Sequence, residues 1–172
     1  MRQLRKEIGK LVALAQSAGV KVFFHTGSSD AMEGLFDDRA DTIHIYSKKP
    51  LRQYFSLCHE LGHLRGFIKD GRVVPGKIDK AYHKDYNLES GEILDKKYRK
   101  IIYETEKRDA KNQLDIHFET KSTVPLWMLK REIEYDLWIY KVYYKTGKVP
   151  SRKEAKEMRK SLTKKWKNGR VK

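Results

Sequence analysis

The sequence predicts an α+β fold: a small, mostly antiparallel sheet packed on one apolar helix that carries two histidines, with further long helices. Three observations predict it. Alternating apolar and polar residues are confined to the first 46 positions, and a 3.6-residue period dominates afterwards. A hydrophobic content of 39%, with ten Tyr, six Phe and three Trp, supplies a core for a 172-residue chain.

The elements follow in order. Leu4, Ile8, Leu11 and Ala15 recur at helical spacing among Arg and Lys, and Gly19 suits the helix stop. Val20 to His25 reads as a strand, residues 26–30 as a loop, and Gly34-Leu35-Phe36 as a second strand. Asp37 to Asp41 suits a hairpin connection into Thr42-Ile43-His44-Ile45-Tyr46, a third strand expected at the sheet edge, where an extended substrate would pair. Pro50 opens a helix that Gly66 is expected to stop. Residues 70–90 show little periodicity and read as irregular. Residues 92–117 and 126–145 read as long helices. Gly147 to Pro150 is a linker, and Ser151 with Glu154 forms a capping box for a last helix striped by Ala155, Met158, Leu162 and Trp166. One domain is expected over 1–148, with an irregular or helical insertion at about 70–124, followed by a basic helix and tail over 149–172.

Composition narrows the class. No apolar run approaches the roughly 18 residues of a membrane helix, and Met1 to Glu7 lacks the apolar core of a secretory signal. A single cysteine, Cys58, fits a reducing compartment, so a cytoplasmic protein is expected. The net charge of +15 is uneven: residues 145–172 hold 12 Lys/Arg and two Glu. Arg152, Lys153, Lys156, Arg159, Lys160, Lys164 and Lys165 are therefore candidate nucleic-acid contacts, against the alternative of a solvated helix face.

The chemistry concentrates in His59-Glu60-Leu61-Gly62-His63. Residues four apart share a helix face, so both imidazoles grip one ion with Glu60 beside it. Zinc at such a site lowers the pKa of a bound water from about 15.7 toward 7, and Glu60 takes its proton. Tyr54, Phe55, Leu57, Cys58, Leu61 and Leu64 mark this helix as buried, where unliganded histidine pairs are unusual. A catalytic zinc takes a third protein ligand. Lys69 stands where the metzincin spacing needs a histidine, which rejects that class. Glu132 lies on the apolar stripe of Met128, Leu129, Tyr135, Ile139 and Val142, and a carboxylate there needs a cation or a metal. It ranks first as third ligand. Glu106, on a mixed face with Ile102, Asp109, Ala110 and Gln113, is the alternative. Asp136, one turn beyond Glu132, is the expected partner of a ligating histidine's second nitrogen.

The order helix, strand, hairpin, His59–His63 helix, then Glu132-Ile133-Glu134-Tyr135-Asp136-Leu137-Trp138-Ile139 resembles the ImmA/IrrE family of zinc metallopeptidases. That family's later motif runs roughly Glu-x-Glu-Ala-x-x-aromatic-Ala; Tyr135 and Ile139 replace its two small residues. The resemblance covers 1–66 and 126–145. It implies a zincin-like gluzincin with one zinc ion on His59, His63 and Glu132 and with Glu60 as general base. It also implies a phage or mobile-element context and a DNA-binding regulatory protein as substrate. The expected function is thus a zinc-dependent endopeptidase. The alternative is a nucleic-acid- or protein-binding module with a non-catalytic metal site.

Overall fold

The computed structural model describes residues 2–26, 33–89 and 91–168, so residues 27–30 of the expected loop and 169–172 of the tail lie outside it. Among the described residues the chain forms α1 (Arg2–Ser17), β1 (Lys21–Phe24), β2 (Gly34–Asp37), β3 (Thr42–Ile45), α2 (Pro50–Lys69), α3 (Gly76–Tyr86), α4 (Lys96–Glu119), α5 (Leu126–Thr146) and α6 (Arg152–Asn168). The fold is α+β and mostly helical. No described helix is long and apolar enough to cross a membrane.

The sheet order is β1-β3-β2, with β1 parallel and β2 antiparallel to β3. It is therefore mixed, where the sequence predicts a mostly antiparallel sheet. β3 is central, which corrects its placement at the edge. Ile43 and Ile45 explain the position: both are fully buried, and a strand lined with apolar side chains is most stable with partners on both sides. Asp37 closes the β2–β3 turn by accepting the backbone N–H groups of Arg39 and Ala40.

Two further expectations change. Gly66 is buried inside α2, which continues to Lys69. The stop is Gly71, whose φ of 77° suits glycine, while Asp70 and Arg72 donate N–H groups to the Gly66 and Phe67 carbonyls. The stretch expected to be irregular contains α3, begun at Pro75, whose carbonyl accepts the Ile78 and Asp79 N–H groups.

The chain divides into two compact units, Met1–Arg72 with Asp109–Leu126, and Val73–Arg108 with Trp127–Lys172. α4 runs unbroken from one set of residues into the other. The core of the first unit joins Leu11 and Ala15 of α1, Ile43 and Ile45 of β3, Leu57, Cys58, Leu61 and Leu64 of α2, and Ile116 of α4. In the second, Ala81, Leu94 and Ile102 are buried beneath Tyr82, Tyr98, Tyr140 and Tyr143. Arg99, buried there, donates to the Tyr143 and Tyr144 carbonyls at 3.0 and 2.7 Å, which satisfies the last turn of α5.

Candidate metal centre

α2 and α4 meet at Gly62. A Cβ added there would lie 2.8 Å from the Asp109 carbonyl oxygen and 3.1 Å from Gln113 Cγ, so only glycine admits α4 at this distance. Asn112 locks the approach by donating to the Gly62 carbonyl at 3.0 Å. The close packing brings one face of α4 over the histidines of α2.

The imidazoles turn their Nε2 atoms toward each other, 3.0 Å apart, with ring centroids separated by 4.7 Å. Their outer nitrogens are both held. His63 Nδ1–H donates to Asp109 Oδ2 at 3.0 Å, and Gln113 Nε2 donates to His59 Nδ1 at 3.2 Å. The carboxylate fixes the His63 tautomer and leaves its Nε2 lone pair facing inward. Gln113 serves either tautomer of His59, because rotating its amide exchanges donor for acceptor. Burial, reinforced by the neighbouring His63, pushes the His59 pKa down to about 3, although the Asp109 carboxylate pulls the other way. His59 is thus neutral at physiological pH, the form that ligates metal.

Glu106 completes the group. It precedes Asp109 by one turn of α4, is 3% exposed, and offers a carboxylate oxygen such that its ligand atom and those of His59 and His63 all lie within 4.8 Å of one another. Tyr82 donates to Glu106 Oε1 at 2.9 Å, which orients the carboxylate. The donor set suits a divalent ion. Two metal–nitrogen bonds of about 2.0–2.1 Å at a tetrahedral angle separate the nitrogens by roughly 3.3 Å, close to the spacing that the packing already imposes.

Glu60, 6% exposed, points toward the sheet. A Cβ on Gly34, the first residue of β2, would lie 2.6 Å from Glu60 Oε1, so the carboxylate rests against the start of that strand.

The group therefore takes Glu106, the second-ranked carboxylate, in place of Glu132. Glu132 is equally buried, but its neutralising charge comes from arginines: Arg131 Nε donates to Oε1 at 3.1 Å and Arg159 to Oε2 at 3.4 Å. Arg159 also stacks over the Tyr135 ring, 4.0 Å from its centroid. The outer histidine nitrogens are held by Asp109 and Gln113, the role expected of Asp136. Cys58 is core, with a buried thiol pushed up to about 12 by desolvation. His117 is buried with Tyr54, and His83 bonds Asn87 on the surface. Of the basic candidates, Arg159 is committed to Glu132 and Lys165 to Glu134 at 2.5 Å, whereas Arg152, Lys153, Lys156, Lys160 and Lys164 are exposed.

Asp109, Gln113 and Tyr82 are site residues that sequence reasoning misses. The first two carry a signal, since Glu106, Asp109 and Gln113 lie at i, i+3 and i+7 on one face of α4. Compared with protein-family models, curated proteins and solved structures, the chain matches none.

Proposed function

We propose that this protein is a zinc-dependent endopeptidase, with His59, His63 and Glu106 as ligands and Glu60 as general base. The observation that carries the reading is the convergence of two imidazoles and a carboxylate from α4, with Glu60, the residue after His59, buried against Gly34. A bound zinc ion supplies Lewis acidity toward water and a substrate carbonyl. The chain supplies the rest. Glu60 accepts a proton from the attacking water and returns it to the leaving amine. Asp109 and Gln113 hold the imidazoles in place, and Tyr82 holds Glu106, so the ligands do not reorganise during turnover.

The position of Glu60 also favours a polypeptide substrate. β2 is an outer strand of the sheet and begins at Gly34, against the Glu60 carboxylate. An extended peptide added along that edge would run past the general base. The resemblance to ImmA/IrrE peptidases extends the proposal to a DNA-binding regulatory protein as substrate. It places the third ligand at Glu132, however, and here the geometry favours Glu106.

The test is Glu60→Gln, assayed with zinc on a proteome-derived peptide library read by mass spectrometry. The wild type should generate new termini. The variant should bind zinc as tightly and cut about 10²–10⁴-fold more slowly. Equal cutting by E60Q, or a zinc-loaded wild type that cuts nothing, would favour a binding module with a non-catalytic metal site.

A further inference from the structure

α6 turns five lysines to one side. At 100° per residue, Lys153, Lys156, Lys160, Lys164 and Lys167 fall within an arc of about 80°, and all five are exposed. The opposite arc carries Ala155, Met158, Leu162 and Trp166. Leu162 is 5% exposed, and the Trp166 indole N–H donates to Glu134 of α5 at 2.8 Å. The orientation of the lysine face is therefore set by packing within the second unit.

None of the five lysines makes an ion pair with a described residue. Lys165, outside the arc, is the one drawn to Glu134. Of the helix's two acids, Glu154 accepts from the Ser151 hydroxyl and N–H in the capping box. Glu157 stands at the margin of the arc. Lysines at i, i+3 and i+4 repel one another and disfavour the helix, so the capping box and the Trp166 anchor hold it against that repulsion. Lys156, Arg159, Lys160 and Thr163 also line a shallow concavity of about 290 Å³ on this flank.

We propose that this face of α6 docks on the phosphate backbone of duplex DNA without reading its sequence. Five ammonium groups along about 21 Å of helix match a regular row of anionic oxygens and release its counterions. Single strands are held chiefly by aromatic stacking, and the only aromatic ring of α6, Trp166, is committed to Glu134 and to the Lys165 ammonium. Membrane-surface helices bury an apolar side in lipid. Here that side is packed inside the protein. The inference is independent of the metal centre.

The experiment is fluorescence anisotropy of the full chain with a 25-base-pair mixed-sequence DNA duplex over a range of KCl concentrations. The triple variant K156Q/K160Q/K164Q should bind at least tenfold more weakly. Its slope of log affinity against log salt should be shallower by up to about 2.7, or 0.9 for each phosphate no longer neutralised. The variant K156R/K160R/K164R should bind as the wild type does. So should K77Q/K80Q/K100Q, which removes the same charge from exposed positions elsewhere. Because the Gln triple relieves like-charge repulsion on a solvent face, α6 should persist by circular dichroism. The proposal is overturned if both Gln triples weaken binding equally or the wild type shows no salt-dependent binding. It is equally overturned if the matching single strand or phosphatidylglycerol vesicles bind more tightly than the duplex.

Discussion

Glu106 and Glu132 are each 3% exposed, and they differ in what compensates their charge. Glu132 has two guanidinium groups. Glu106 accepts from the Tyr82 hydroxyl and shares its surroundings with two histidine nitrogens. A buried carboxylate needs a cation or a metal, and the sequence leaves both open at both positions. The deciding partner of Glu132 is Arg159, 27 residues away on another helix, which no periodicity reveals. His59, Glu60 and His63 are legible because their relation is local, one turn of one helix. In a chelator-competition titration, E106Q should bind zinc more than about 100-fold more weakly than the wild type. Y82F should lose about tenfold, the ordinary effect of removing a ligand's hydrogen-bond partner. E132Q should stay within about twofold in affinity while lowering the melting temperature, because Arg131 and Arg159 lose their carboxylate.

At the scale of elements, α2 and α4 are joined at Gly62 and again further along. His117 Nδ1–H donates to the Tyr54 hydroxyl, which donates to Ser122 Oγ at 2.9 Å. Burial holds the His117 pKa below its ordinary value, with Glu7 opposing. The unfolded chain takes up this proton as pH falls through about 6.5, whereas the folded chain resists it. Stability associated with His117 is therefore complete above that pH and is lost on acidification. Urea unfolding of the metal-free chain at pH 7.5 and 5.5 should show the loss. H117Q should remove its share, up to about 1.4 kcal/mol between pH 7.5 and 5.5. The long helices and the hairpin are legible because their periods run for many residues. α3 is not, since eleven residues with one buried position, Ala81, give too short a pattern. The central place of β3 is hidden for a different reason: strand order is fixed by long-range pairing with β1, which alternation does not encode.

Over the whole molecule, the charge and the chemistry are separated in sequence. Residues 1–144 carry a net +5, and residues 145–172 carry +10. The candidate metal centre takes its three ligands from α2 and α4, one carboxylate and two imidazoles, a set that suits a divalent cation. The sequence discloses the α+β class, the motif helix and the basic terminus. It withholds the residues whose meaning depends on the chain folding back on itself: Asp109 and Gln113 become site residues only because Gly62 lets α4 approach. The most direct measurement is anomalous X-ray scattering, at the zinc absorption edge, from crystals grown with zinc. One peak is expected within about 2.0–2.2 Å of His59 Nε2, His63 Nε2 and a Glu106 carboxylate oxygen. A peak on Glu132, or the absence of any peak between the two imidazoles at saturating zinc, would contradict this assignment.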